Sequence, residues 1–234
     1  MTIQAVVFKM KRNKIIDGCI RDKLKQHKYC IAFHEAGHAA AIYLNNKARN
    51  LPPIFFQIIF KDISESPDYN RSAYQSTADD SVARVEGGRL IQSLPFTVDG
   101  MAHKLIEQNE AITPLVKDYL IAYEADIINL LVGPLAEAKY VYNRDDELFN
   151  HTLVNLKSLK NYGGDSDLAL VREYVESFSK CKKLQDAKMD EMFGLACEFI
   201  SDASNWKAIT KLADFILKSN KNIISCEEVA CIVA

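Results

Sequence analysis

His34, Glu35 and His38 stand in the pattern His-Glu-x-x-His, inside Phe33-His34-Glu35-Ala36-Gly37-His38-Ala39. Neutral imidazole nitrogen is a zinc ligand, and a carboxylate beside it can take the proton of a zinc-bound water. That chemistry needs both rings to converge on one ion. A helix provides this, because residues four apart lie on one face. Residues 31–44 carry five alanines, two isoleucines and a leucine, and no proline, a composition that favours a helix. Gly37 costs about 1 kcal/mol there relative to alanine, which points to close packing. The competing reading is a pair of histidines satisfied inside an apolar core.

The third ligand must come from elsewhere in the chain. In a metzincin, glycine would stand three residues after His38 and a third histidine three further on; those positions are Ala41 and Leu44. Two carboxylates compete. Glu137 interrupts an apolar stripe with Leu130, Gly133 and Val141 on one helix face, and a buried carboxylate needs a partner. It is read as a metal ligand, or as the acceptor for a ligand histidine's free N–H. Asp167 follows Gly163 and Gly164 at a helix start, where a short side chain can be brought up to an ion. The first turn of a helix also favours aspartate without any metal. His103 and His151 are weaker candidates, read as surface, core or linker residues.

The elements that must position these residues are mostly helical. The pattern gives a short strand or arm and a basic segment over 1–14, a helix over 15–27, and the motif helix over 29–47. Pro52-Pro53 ends that region. Residues 54–60, rich in β-formers, read as a buried strand, and a strand near the metal is where many zinc peptidases add an extended substrate. Residues 61–85 are a polar excursion, and Gly87-Gly88-Arg89 is too short for a phosphate loop. A helix is expected over 99–110. A long apolar helix over 113–142 contains Gly133-Pro134, and proline should kink it. Residues 143–164 read as a polar linker. Asp165 or Ser166 can cap the next helix, and three helices follow over 166–181, 184–203 and 205–218. Ser225 and Glu228 form a capping-box pattern.

Composition narrows the function classes. A chain of 234 residues, 48% hydrophobic and 26% charged, is that of a soluble globular protein with a sizeable core. Its net charge of −2 gives no electrostatic argument for nucleic acid or an anionic membrane. The six cysteines form no Cys-x-x-Cys pair and read as reduced core thiols of a cytoplasmic protein. The apolar N-terminal run is too short for a signal peptide, and the run over 127–136 is too short to cross a bilayer. No Gly-x-x-x-x-Gly-Lys-Ser/Thr loop occurs, so nothing indicates an ATPase.

Three stretches, in order, resemble the peptidase domain of FtsH-type ATP-dependent zinc metalloproteases. They are Phe33-His34-Glu35-Ala36-Gly37-His38-Ala39, then Val132-Gly133-Pro134-Leu135-Ala136-Glu137, then Asp165-Ser166-Asp167-Leu168. The resemblance spans roughly 28–231. It implies zinc held by His34, His38 and Asp167, Glu35 as general base, and Glu137 as a second carboxylate behind the ligands. Pro134 stands where the family has arginine. The expected AAA module and membrane anchor are absent from the pattern, which leaves processive degradation in doubt.

The expectation is a mainly α fold, a helical zinc-peptidase domain with a small β element near the active-site helix. Residues 1–27 would be an arm and helix, and residues 28–234 one compact unit. The expected activity is zinc-dependent hydrolysis of flexible or unfolded polypeptide, with an oligomer or a separate ATPase partner possible. The alternatives are a non-enzymatic pseudo-peptidase module that keeps the fold, and a helical interaction protein with an accidental motif.

Overall fold

The computed structural model describes residues 2–60, 82–94, 114–150 and 153–234, with side chains from residue 22 onward except Leu115. The fold is mainly α with a small antiparallel sheet. The elements are α1 (Thr2–Ala48), β1 (Phe56–Phe60), β2 (Ala83–Gly87), α2 (Pro114–Arg144), a 3-10 turn (Leu159–Tyr162), α3 (Asp165–Phe178), α4 (Lys182–Ser201), α5 (Ala203–Lys218), β3 (Ile223–Ser225) and α6 (Cys226–Val233). The helix expected over 99–110 falls outside the described residues.

Two long helices form the centre. α1 is one continuous helix of 47 residues, not an arm, a helix and a motif helix. No proline interrupts it, and its charged and aliphatic residues are good helix formers. No break in secondary structure marks the boundary expected near residue 27. Along its second half Ala32, Ala36, Ala39, Ala40 and Ala41 are fully buried. Small residues let α2 come close. A Cβ on Gly37 would lie 2.7 Å from the Ala136 Cβ and 2.8 Å from the Val132 carbonyl, which is the packing reason for that glycine. Stacked rings extend the contact to α5, with Phe33 4.4 Å from Tyr140 and 5.6 Å from Trp206.

α2 keeps Pro134 inside its span. Together with its flanks the apolar run over 127–136 belongs to a helix, Val116–Arg144, that is long and apolar enough to cross a membrane. The shortness expected of that run is therefore corrected. Of its apolar window 67% is buried inside the protein, so most of that surface already has a protein partner.

The sheet has the order β2-β1-β3, with Ile58 opposite Val85 on one side and Ile224 on the other. β1 is thus the middle strand, paired on both sides. β2 was expected to be part of a polar excursion, of which residues 61–81 lie outside the described residues. Ala83-Arg84-Val85-Glu86 alternates apolar and polar, and Ala83 is buried. Five residues give a weak periodic signal, and pairing with β1 decides it.

The C-terminal helices fall close to their expected spans. Asp202 caps α5, accepting from the Ser204 and Asn205 N–H groups at 2.9 Å each. The capping box of Ser225 and Glu228 is formed. α3 differs: its N-cap is Gly164, with no side-chain cap, so neither Asp165 nor Ser166 caps it. The linker over 143–164 is less polar in space than in sequence, since Val154 and Leu159 are buried. Among the cysteines, Cys197 is buried, Cys30 and Cys226 are half-buried, and Cys181 and Cys231 are exposed, so the core reading fails for the last two.

Candidate metal centre

α1 presents His34 and His38 to α2 and to the start of α3. The His34 and His38 Nε2 atoms are 3.1 Å apart. Asp167 closes the triangle, with Oδ2 3.3 Å from His34 Nε2 and Oδ1 3.4 Å from His38 Nε2. These three side chains can hold a metal ion. For zinc with bonds of about 2.0–2.1 Å, the edge of a tetrahedron is about 3.3–3.4 Å, close to the donor separations seen here.

The far side of each ring fixes its tautomer. His38 Nδ1–H donates to the Asn129 carbonyl at 2.9 Å. His34 Nδ1 lies 3.2 Å from the Tyr162 carbonyl and 3.1 Å from Glu137 Oε2. A carbonyl only accepts, so Nδ1 carries the hydrogen and each neutral ring turns its Nε2 lone pair towards Asp167. Two lone pairs and a carboxylate facing one point suit a cation. Glu137 therefore takes the place expected of an acceptor behind a ligand histidine, not that of a ligand. Cys30, one turn before His34, also donates to Glu137; burial and then that carboxylate push its thiol up to about 11.

Glycines make the approach possible. A Cβ on Gly133 would lie 2.2 Å from His38 Nε2. Gly163 ends the 3-10 turn at φ 71, a left-handed conformation that glycine adopts freely. A Cβ there would meet the His34 ring at 3.1 Å and Glu137 at 3.3 Å. The turn is pressed against α1 and α2, and Asp167, in the first turn of α3, arrives at the histidines. Pro134 packs against Gly164, whose added Cβ would lie 2.9 Å from it.

The cluster is buried but not sealed: His34, His38 and Asp167 are each 8% exposed and Glu35 is 7% exposed. Asp167 Oδ2 and Glu35 Oε2 are buried oxygens without a hydrogen-bond partner among the described residues. Such groups are rare; of the four among the described residues, these two belong to the histidine-carboxylate cluster, and the others are Asn46 Nδ2 and the Tyr119 hydroxyl. Burial alone would raise the Asp167 carboxyl, but the imidazoles of His38 and His34 outweigh it and hold it well below the usual range. Burial works to lower His34, yet Asp167 and Glu137 carry it well above its ordinary value. His38 moves the same way, with burial opposed chiefly by Asp167. Burial pushes Glu35 up, against the pull of His34, His38 and the Val85 backbone. A carboxylate with a raised pKa is a better proton acceptor near neutrality.

Comparison with protein-family models, with curated proteins and with solved structures finds no match for this chain.

His34, His38, Asp167, Glu35 and Glu137, named from the sequence, all meet here. His103 and His151 lie outside the described residues. The supports behind His38 were not foreseen. The Asn129 side chain accepts from Asn45 Nδ2 at 3.0 Å and donates to Asn46 Oδ1 at 3.1 Å. Asn45 and Asn46 are buried, although both are polar and stand in the last turn of α1. The signal was available on α2, where Asp126 and Asn129 stand one turn apart inside an apolar run.

Proposed function

We propose that this protein is a zinc-dependent metallopeptidase that hydrolyses peptide bonds in flexible or unfolded polypeptides. The observation that carries the reading is the convergence of His34 Nε2, His38 Nε2 and Asp167 within 3.1–3.4 Å, each ring's Nδ1 held by an acceptor. Two histidines and a carboxylate are a donor set used by catalytic zinc, which leaves a position for water. Zinc in such a set lowers the pKa of bound water towards about 7 and polarises a carbonyl.

The chain's own residues divide the remaining work. Glu35, buried beside both histidines, accepts a proton and later returns it to the leaving amine. A site that only held a metal for structure would have no use for that carboxylate. Asn129 and Glu137 keep the rings in the ligating tautomer. β1 is paired on both sides and has no edge to offer. β2 has an unpaired edge among the described residues and touches Glu35 through Val85. It suits an extended polypeptide added to the sheet.

The reading keeps the resemblance to the FtsH-type peptidase domain as a proposal, with an ATPase partner on a separate chain as part of it. The protein is proposed to act in the cytoplasm; the described cysteines are all unpaired, which supports a reducing compartment.

The test is a digest of unfolded casein and of a stable folded domain, with and without chelator. Chelator-sensitive cleavage of casein, with the folded domain spared, is expected. Zinc-loaded protein that cleaves neither casein nor a broad peptide library would favour the pseudo-peptidase reading.

A further inference from the structure

The buried carboxylate of Asp126 takes no part in the chemistry above, and it lies where three elements meet. Its Oδ1 accepts from the Leu90 N–H at 2.9 Å. Its Oδ2 accepts from the Ile91 N–H at 2.9 Å and from the Tyr174 hydroxyl at 2.8 Å. The same hydroxyl accepts from Arg89 Nε at 3.1 Å, and the Arg89 guanidinium lies 5.1 Å over the Tyr174 ring. One carboxylate therefore ties the exit of β2 to α2, which carries Asn129 and Glu137, and to α3, which carries Asp167.

β2 runs along the motif helix. The Val85 backbone lies near enough to the Glu35 carboxylate to pull its pKa down against burial. Beyond it, a Cβ on Gly88 would lie 2.4 Å from Ile42 Cδ1, one turn past His38. The strand and its exit are thus set against α1 at Glu35 and Ile42 and fastened by Asp126. A carboxylate suits this post because it is acceptor-only on both oxygens, whereas asparagine would turn a donor towards an N–H or hydroxyl.

We infer that Asp126, with Tyr174, is a positioning residue that sets where the β2 edge stands relative to His34, His38 and Asp167, and so the register in which an extended polypeptide lies across Glu35. The inference rests on the peptidase reading for its substrate, but the placement of β2 is measurable without it.

Asp126→Asn and Tyr174→Phe are compared with wild type by zinc titration, by KM and kcat on a fluorogenic peptide that wild type cleaves, and by amide hydrogen exchange. Neither residue touches a proposed ligand or its partner, so zinc affinity is expected to stay within about twofold. Loosening of the β2 edge should raise KM about tenfold in Asp126→Asn, with kcat changing less, and about threefold in Tyr174→Phe. Exchange should quicken over 83–91 while 31–44 stays protected. Unchanged exchange over 83–91 would overturn the inference, as would zinc loss in step with KM and faster exchange throughout. If Asp126→Asn does not fold, Tyr174→Phe decides by the same measurements. If zinc-loaded wild type cleaves no peptide, the peptidase reading falls alone, and exchange with zinc titration still decides the placement of β2.

Discussion

Two aspartates are buried among the described residues, and they differ in what surrounds them. Asp126 is 2% exposed and its carboxylate receives two backbone N–H groups and a phenol. Asp167 is 8% exposed and faces the Nε2 atoms of two imidazoles, which answer its charge only when protonated there, and its Oδ2 has no hydrogen-bond partner among the described residues. Their pKa directions are opposite. Burial moves Asp126 up despite its donors, while the histidines, when protonated, hold Asp167 down. Burial is common to both, so burial does not mark a ligand. The mark is an acceptor pointed at other acceptors, an arrangement that is unfavourable until a cation joins it. Asp126 is complete as it stands and fastens elements; Asp167 is complete only with a cation or protons.

The largest expected difference follows from this. Asp167→Ala should lose zinc and with it all hydrolysis, while Asp126→Asn should keep zinc. Removal of a direct ligand should cost more than the roughly 10–100-fold typical of a partner behind one. Zinc titration of both variants, with folding checked by circular dichroism, measures it. Equal zinc affinity in Asp167→Ala and wild type would remove Asp167 from the site.

Next in size is a change that separates metal from chemistry. Glu35→Gln should retain zinc, because Glu35 is outside the donor triangle, and should lose hydrolysis by about 10²- to 10⁴-fold, since an amide cannot act as base. A variant as active as wild type on any cleaved peptide would refute the role of Glu35.

The contrast between the aspartates also explains what the sequence could and could not reveal. The His34, Glu35 and His38 spacing lies within one helix, so local geometry alone brings it together. Asp167 was legible because Gly163 and Gly164 precede it, and the close approach they permit is what the fold uses. Asp126 was passed over because its partners are backbone groups of Leu90 and Ile91, which leave no trace in residue types. The Asn45, Asn46 and Asn129 cluster was hidden for a related reason: each is ordinary alone, and only the packing of α1 on α2 joins them. β2 was lost in polar surroundings, since its identity is supplied by β1. The helix ends in the C-terminal half were legible because Asp202 and Ser225 carry local capping chemistry.

A smaller effect distinguishes Glu137 from both aspartates. Its Oε2 accepts from His34 Nδ1 at 3.1 Å, on the side away from the donor triangle. Glu137→Gln keeps the size but weakens the acceptor, so zinc affinity should fall by about 10–100-fold and no further. If Glu137→Gln held no zinc while Asp167→Ala held it normally, the two roles would be exchanged.

A last effect is graded with pH and tests the lone-pair argument directly. In the metal-free protein both histidines titrate above their ordinary value and Asp167 below its own. The two directions describe one coupled ionic cluster. The raised histidines contribute stability that is full below their unfolded pKa and is lost as pH rises through the raised folded values. The depressed Asp167 contributes stability that is present above its unfolded pKa and is lost as pH falls through its depressed one. Between these limits protons on the rings answer the carboxylate. Above them the lone pairs and the carboxylate oppose one another, and a metal ion relieves that opposition. Zinc must displace those protons, so its association constant should rise about one to two log units per pH unit through neutrality, with protons released. The rise in melting temperature caused by zinc should grow from pH 6 to pH 8 in step, over about those limits. Calorimetric titration in two buffers of different ionisation enthalpy counts the protons. An affinity flat across that range would mean that the two Nε2 atoms are not the groups that meet the metal.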